Sequence, residues 1–326
     1  MDPIRVATLA PHGQGRQLLR FLAELEASHR PHERKAYLPE WPGFSKVFGL
    51  RVVPAESAAA HVEMPADLDT QLDASAKPHH VLADTLSRAL RAFGPAGANY
   101  DVLMILLPER WEAGFEGPED DAFDLHDYIK AQLAMRGLAS QIIRDASGLS
   151  YFCRCSVAWR IGIALYSKAG GVPWKLADTD PDTAYIGLSY ALRPKGAGGE
   201  RFLTCCSQVF DADGAGLEFI AYETPDYRIL GDNPYLSRPE MRRVMARSLV
   251  LYQQRHAGRV PRRIVVHKTP PFKPREIEGA FDALGHIATV DLVQIQQDTP
   301  WRGLRMDQPP PSSARGGEPA RYPLER

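Results

Sequence analysis

The 326-residue chain has little of what would place it in a membrane, a secretory route or a zinc-binding class. No stretch approaches the roughly 18 uninterrupted apolar residues of a membrane span, and the first residues lack the pattern of a signal peptide. The four cysteines form two close pairs, Cys153 with Cys155 and Cys205 with Cys206, and neither pair has zinc-ligand spacing. These absences favour a soluble protein of a reducing compartment, and we expect a cytoplasmic location.

The chain also has no excess charge of one sign. Lys and Arg number 39 and Asp and Glu number 40, so the formal net charge is -1. A site for nucleic acid would therefore have to be a local basic patch on an otherwise neutral protein. The 44% hydrophobic and 24% charged fractions are typical of a globular protein, and the length allows two or three domains.

The first half predicts a mainly parallel α/β sheet with a Rossmann-like start. Apolar runs and helical periodicity predict strands and helices that alternate along the chain. The predicted strands cover 4–9, 49–53 and 101–107, and the predicted helices cover 15–27 and 80–93. The loop 12–15 (HGQG) offers a GxG, but Leu18 stands where a dinucleotide-binding loop has its third glycine, so this motif supports nucleotide binding only weakly.

Two predicted helices and the segment between them carry a set of donors suited to a phosphate. His126 and Lys130 are four residues apart on one face of the first helix. Gln141 follows eleven residues after Lys130, and Lys168 stands in the last turn of a helix predicted at 155–169. An imidazole, two ammonium groups and an amide could converge on one phosphate, supplying positive charge and directional donors.

Simpler explanations exist for each of these residues, and a resemblance weighs against them. Lys168 could be a favourable partner for a helix dipole, and His126 with Lys130 could form a solvated face. However, the run 124–168 resembles the MID domain of Argonaute proteins in its spacing, in its helix ends and in the exit 170–174 (GGVPW). The resemblance implies that the four residues grip the 5′-phosphate of a guide strand.

The second half predicts an RNase H-like domain. Three strands are expected to form an antiparallel set, followed by helix, strand, helix and strand. The predicted strands cover 185–192, 202–210, 217–222, 264–267 and 288–296, with a turn at 211–214, a long helix opened by the capping box 237–240 (SRPE), and a helix at 275–284. That element order is the order of an RNase H-like fold.

This region resembles the PIWI domain of prokaryotic Argonautes. The motifs that carry the resemblance are 186–189 (IGLS), 207–211 (SQVFD) and 261–269 (PRRIVVHKT). A two-metal nuclease needs carboxylates that hold two cations roughly 4 Å apart. Active relatives carry aspartates at the positions that we align with Ser189 and Thr269. We therefore predict that the chain has no catalytic residues and no catalytic metal.

Two open alternatives concern this half. Asp211, Glu218 or Glu223 could serve as metal ligands of an active metal-dependent, guide-directed endonuclease, although a turn former and outward-facing strand residues explain them better. A set of basic residues could track the backbone of a guide–target duplex, or could simply be a solvated face. That set is Arg243, Arg247, Arg262, Lys268 and Lys273.

Together these patterns predict an α/β chain with a Rossmann-like MID domain at 1–178, followed at 179–326 by an RNase H-like PIWI domain that is incomplete at its C-terminus. We expect a flexible loop at 308–317 and the start of a strand at 321–326. The N-terminal and PAZ domains of long Argonautes are not expected, which matches the short, catalytically inactive prokaryotic class.

The resemblance also implies partners. They are a small 5′-phosphorylated guide RNA, a complementary target DNA, Mg²⁺ at the guide 5′-phosphate, and an APAZ-containing effector with a TIR, Sir2 or nuclease domain, acting in defence against plasmids or phage. The alternative of another class is a protein-interaction subunit that no longer binds nucleic acid.

Overall fold

The computed structural model describes residues 2–94, 100–118, 123–177, 179–192, 203–224, 226–231 and 233–296. The chain divides into two compact units, Met1–Trp174 and Lys175–Arg326. The acidic stretch 119–122, the predicted loop at 308–317 and the predicted strand at 321–326 lie outside the described residues. Within the described ranges, no helix is long and apolar enough to cross a membrane.

The first unit is built on a parallel sheet of five strands. They are β1 (Ile4–Ala10), β2 (Val52–Pro54), β3 (His61–Glu63), β4 (Val102–Leu107) and β5 (Ala139–Arg144). The order is β2-β1-β4-β5, and the short β3 pairs with the last three residues of β1, beyond the end of β2. In the part of the chain that the structure describes, β5 is therefore an edge strand that pairs with β4 alone.

Helices cover both faces of this sheet. The helices are α1 (Gly15–Leu25), α2 (Phe44–Phe48), α3 (Leu68–Ala74), α4 (Pro78–Leu90), α5 (Leu125–Ala134) and α6 (Arg154–Lys168). α3, α4 and α5 share one hydrophobic cluster with alternate residues of β4, and α1, α2 and α6 share the other cluster. Because both faces are covered, β4 is a continuous buried apolar run.

The second unit has a mixed sheet of five strands. Its elements are β6 (Thr183–Leu192), β7 (Leu203–Phe210), β8 (Gly216–Thr224), β9 (Tyr227–Leu230), β10 (Asn233–Leu236), α7 (Arg238–Arg255), β11 (Arg263–Lys268), α8 (Pro274–Leu284) and β12 (Thr289–Gln294). The order is β12-β11-β6-β7-β8, antiparallel from β6 to β8 and parallel from β6 to β12. α7 and α8 share a hydrophobic cluster with β6, β7 and β11. β9 and β10 form a separate hairpin.

These sheets confirm the predicted mixed α/β fold class, and the differences lie in short elements. The long helices begin and end within a few residues of the predicted bounds, and Ser237 accepts the expected capping bond from the Glu240 amide. The Glu240 carboxylate pairs with Arg243 instead of closing the predicted capping box. The short elements β3 and α3 were not predicted, because their three and seven residues do not show a clear period.

Gly162 sets how closely α6 packs on the first unit's core. A Cβ atom at this position would lie 2.4 Å from Cη2 of the fully buried Trp41. Trp41 cannot move away easily, because its Nε1 donates a hydrogen bond to the Leu25 carbonyl at 2.8 Å. A helix that carries Lys168 at its end is thus held at a fixed distance from the sheet.

Gly162→Ala should therefore destabilise the chain, although alanine is normally the better helix former by about 1 kcal/mol. We expect a net loss of roughly 1–3 kcal/mol from overpacking, measured by urea unfolding. Ser167→Ala, at an exposed position of the same helix, is the control and should be neutral or slightly stabilising. A Gly162→Ala variant as stable as the parent would show that α6 is free to move outwards.

Candidate nucleic-acid interface

Edge strand β5 presents consecutive polar residues to opposite faces of the first sheet. Side chains alternate along a strand, so Leu138, Ser140 and Ile142 share one face, while Gln141 and Ile143 share the other. Leu138 and Ile142 pack in the cluster that contains α5, and Ile143 packs in the cluster that contains α6. Ser140 therefore faces the α5 layer and Gln141 faces the α6 layer.

Two lysines, one from each layer, reach β5. Lys130 on α5 donates from Nζ to the Ser140 carbonyl oxygen at 2.6 Å and contacts Ser140 Oγ at 2.9 Å. Lys168, the last residue of α6, donates from Nζ to Gln141 Oε1 at 2.5 Å. Gln141 Nε2 in turn donates to the Ile142 carbonyl at 2.8 Å. The lysines come from opposite faces of the sheet and meet around its edge.

The two ammonium groups are close enough to affect each other's protonation. Burial, together with the positive charge of Lys130, lowers the pKa of Lys168 to about 8. Burial also lowers the pKa of Lys130. Among the described residues neither lysine has a carboxylate partner, so at neutral pH the site holds two neighbouring, half-buried positive charges. A bound anion would relieve both their repulsion and their loss of hydration.

His126, the fourth predicted phosphate ligand, is less closely joined to this group. It is exposed in the first turn of α5, and its Nδ1 lies 3.1 Å from Asp127 Oδ1. The structure therefore brings three of the four predicted residues together and places His126 one turn away, beside a carboxylate. The carboxylate neighbour could not be seen as a partner from spacing alone.

Asp124, His126 and Asp127 are the one group of potential metal ligands found among the described residues, with ligand atoms within 4.8 Å of one another. They do not fit a resident Mg²⁺ well. All three are exposed, Asp124 already caps α5 by accepting from the Asp127 amide at 2.9 Å, and Mg²⁺ favours oxygen ligands over imidazole. We assign no step to this group.

The glycine-containing loop after β1 is already occupied by a side chain of the chain itself. Glu63, at the end of β3, accepts from the amides of Gly13 at 2.8 Å and Gly15 at 3.0 Å. These two bonds, that from Gly13 first, lower the pKa of Glu63. The carboxylate thus takes the donors that a nucleotide phosphate would need. The sequence did not reveal this, because β3 was not predicted.

In the second unit, the two positions predicted to have lost their carboxylates lie in one cleft. Ser189 on β6 and Thr269, directly after β11, both line a cavity of about 290 Å³. Gln208, Cys206 and His267 also line it, and none of its described lining residues is Asp or Glu. β6 and β11 are neighbouring parallel strands, which explains why residues 80 positions apart in sequence meet.

Neither Asp211 nor Glu223 lines this cavity. Asp211 directly follows β7 and lines a different cavity, together with Asp182 and Tyr252. Its carboxylate lies 2.9 Å from Nε2 of His256, which follows α7. Glu223 is exposed on β8, opposite Thr204. The side chain of Glu218 lies outside the described part of the chain.

Lys268 was one candidate for contact with a duplex backbone, and its burial contradicts that role. Its side chain is fully buried, its Nζ donates to Glu276 Oε2 at 2.6 Å, and the Glu276 side chain is fully buried as well. The rings of Tyr235 and Phe272 lie 4.9 and 4.8 Å from Nζ. Lys268 and Glu276 therefore form a buried ion pair between β11 and α8, and Lys268 cannot reach phosphates.

The other basic candidates do not form one cluster. Arg243 is half-exposed on α7 and pairs with Glu240, while Arg247 is exposed on the same helix. Arg262 is exposed before β11, and the half-buried Lys273 lies beyond the other end of that strand. Six residues of strand separate those two ends by roughly 20 Å. A duplex-binding role for these four residues stays a prediction.

Solved structures match this arrangement over nearly the whole chain. A structure of A. aeolicus Argonaute matches with a TM-score of 0.53 at 13% identity, over 92% of this chain and 35% of that chain. A second Aquifex aeolicus structure gives 0.50 at 14% identity, over 91% and 36%. Marinitoga piezophila Argonaute, in complex with a 5′-OH guide RNA, gives 0.51 at 13% identity, over 91% and 40%. The chain has an Argonaute-like MID and PIWI fold.

This Argonaute-like chain spans between about a third and two-fifths of the lengths of the structures that it matches. No protein-family model matches it, and no curated protein matches it in sequence. At identities of 13 to 14%, the similarity establishes the fold and leaves the site to be argued from this chain's own residues.

Removing the buried charge of Lys268 should destabilise the folded chain. Lys268→Ala leaves the Glu276 carboxylate buried without its cation, and we expect a loss of about 3–5 kcal/mol in the free energy of unfolding. Lys273→Ala, which removes a half-buried lysine five residues on, should cost less than about 1 kcal/mol. Urea unfolding of both variants checks this. Equal stability of the two variants would mean that Lys268 is solvated after all.

Proposed function

We propose that this chain binds the 5′ end of a small guide strand and uses it to recognise a complementary nucleic acid without cutting it. The observation that carries the proposal is the meeting of Lys130, Gln141 and Lys168 around β5. Three polar groups of the kind that hold a terminal phosphate lie on three elements far apart in sequence. The Argonaute-like fold supports the guide as the ligand.

The paired lysines argue against the simpler explanations. A lysine over an edge strand can protect it from pairing, which would explain Lys130, and a lysine at a helix end favours the dipole, which would explain Lys168. Neither explanation requires the two ammonium groups to be neighbours. Burial, and then their proximity, lower the pKa of Lys168 and so disfavour its charged form in the folded protein. Binding of an anion gives that arrangement a function.

The absence of Asp and Glu from the described lining of the second unit's cleft supports recognition without cleavage. Hydroxyls at Ser189 and Thr269 cannot balance the charge of two divalent cations. The carboxylate of Asp211, an acid that the nuclease alternative depends on, lies beside His256 and does not line the cleft. Target recognition would then be signalled to a separate protein rather than completed by this chain.

The remaining parts of the proposal follow from the resemblance of the sequence to short Argonautes. They are an RNA guide, a DNA target, Mg²⁺ beside the guide phosphate, and an APAZ-containing effector with a TIR, Sir2 or nuclease domain. The setting would be cytoplasmic defence against plasmids or phage. The guide in the Marinitoga piezophila structure carries a 5′-OH, so the chemistry of the 5′ end is the point to test first.

Binding of a labelled RNA of roughly 20 nucleotides, with a 5′-phosphate or a 5′-OH, tests the proposal directly. We expect the phosphate to be preferred at least tenfold, because each charge-assisted contact contributes about 1.5–3 kcal/mol. Lys130→Ala combined with Lys168→Ala should abolish the preference and leave binding of the 5′-OH guide nearly unchanged.

The control is Lys35→Ala combined with Lys77→Ala, which removes the same charge from two exposed lysines of the first unit. It should keep the preference. A wild-type chain that favours the 5′-OH guide, or that loses the preference equally in both double variants, would contradict the phosphate site. Absence of any guide binding would favour the protein-interaction subunit.

The preference should also depend on pH with a defined sign. Free Lys168 has a pKa of about 8, and a bound phosphate raises that pKa by stabilising the ammonium form. Affinity for the phosphorylated guide should therefore be greatest near pH 7, decrease below about pH 6 as the phosphate monoester takes up a second proton, and fall roughly tenfold between pH 7 and 9 as free Lys168 loses its proton. Affinity for the 5′-OH guide should stay flat. Parallel pH profiles for both guides would show that Lys168 does not contact the phosphate.

A further inference from the structure

Ser140 has a position that its sequence context did not single out. It is 3% exposed in β5, and both of its oxygens contact the same ammonium group, that of Lys130. Its main chain is fixed by the parallel pairing of β5 with β4, where it lies opposite Leu103. The ammonium group of a long, flexible side chain is thus held by two acceptors on a rigid strand.

The two hydrogen bonds to Ser140 oppose the tendency of the Lys130 ammonium group to turn away from Lys168. Two ammonium groups repel each other, and a lysine side chain with several rotatable bonds gains both entropy and hydration by turning its charge towards solvent. Gln141 holds Lys168 through its side-chain oxygen at 2.5 Å. Lys130 needs an equivalent partner on the other face of β5, and Ser140 is the residue there.

We propose that Ser140 is a positioning residue, which keeps the Lys130 ammonium group beside that of Lys168 and thereby makes the site selective for a terminal phosphate monoester. A monoester carries close to two negative charges at neutral pH, so it gains most from two adjacent cations. An internal phosphodiester carries one charge and a 5′-hydroxyl carries none. The proposal rests on the phosphate-binding function proposed above and adds the device that sets its selectivity.

The carbonyl of Ser140 stays in place when the side chain is changed, so the hydroxyl accounts for part of the anchorage. Loss of one hydrogen bond to a charged group should reduce the preference for 5′-phosphate over 5′-OH about 5- to 20-fold. The effect should fall on the phosphorylated guide, because a 5′-OH guide does not use the second charge.

Ser140→Thr and Ser140→Val form the matched pair for the test. Both are β-branched and nearly equal in size; threonine keeps the hydroxyl, whereas valine carries a second methyl group in its place. Ser140→Ala removes the hydroxyl without adding volume and serves if the extra methyl group is not accommodated. For each variant we would measure the melting temperature, the affinities for 5′-phosphate and 5′-OH guides, and the pH midpoint of phosphate-dependent binding.

The expected result is that Ser140→Thr keeps the wild-type preference for the 5′-phosphate. Ser140→Val and Ser140→Ala should each reduce that preference about 5- to 20-fold. Their pH midpoint should also move upwards from the value of about 8 set by Lys168, since the neighbouring charge has turned away. A purely structural role would lower the melting temperature without moving that midpoint.

Two results would overturn the proposal for Ser140 and leave the phosphate site intact. In one, valine and alanine keep both the preference and the midpoint. In the other, threonine loses as much preference as valine, so that packing and not the hydroxyl is responsible. If the wild-type chain itself shows no phosphate preference, the proposed function fails first, and the role of Ser140 fails with it.

Discussion

The candidate site depends on one electrostatic constraint, the holding of two ammonium groups together at the edge of a sheet. Lys130 and Lys168 approach β5 from its two faces, and Ser140 and Gln141, which are neighbours in sequence, receive them. The arrangement requires β5 to be an edge strand and requires α5 and α6 to cover opposite faces. Both requirements follow from the strand order β2-β1-β4-β5 and from the two hydrophobic clusters. The packing of the first unit's core therefore brings the two lysine side chains together at β5.

In the second unit, by contrast, a buried lysine is paired with a carboxylate and not with another cation. Lys268 is buried with Glu276, and the carboxylate also accepts from the backbone amides of Leu236 and Lys273. One carboxylate thus ties β10, β11 and the start of α8 together beside the cleft that contains Ser189 and Thr269. Ser189 and Thr269 line this cleft, none of its described lining residues is Asp or Glu, and the nearby carboxylate of Glu276 is buried. The proposed division of labour is that the first unit holds the guide end, while the second has a cleft whose described lining contains no Asp or Glu.

Much of this could be predicted from the sequence, and the failures have physical causes. Periodic apolar stripes gave the long helices, and apolar runs gave the central strands, because both patterns report burial on a regular element. The resemblance of 124–168 to a MID domain, more than the spacing alone, identified Lys130, Gln141 and Lys168 as residues that converge. The role of Ser140 could not be seen, since it depends on which face of β5 each residue occupies, and β5 had not been recognised as a strand. Lys268 was misassigned because a basic residue after an apolar strand gives no sign that an acid eight residues on will be buried with it. Glu63 was missed because β3 has only three residues.

The most direct test of the central claim is the titration of Lys168 by NMR in the chain with isotopically labelled lysine, assigned by comparison with Lys168→Met. The free protein should show one lysine that titrates near pH 8, and addition of a short 5′-phosphorylated oligonucleotide should move that titration upwards. The same oligonucleotide with a 5′-OH should leave it unchanged. A Lys168 that titrates like an exposed lysine, and that does not respond to the phosphorylated end, would contradict the paired-lysine site.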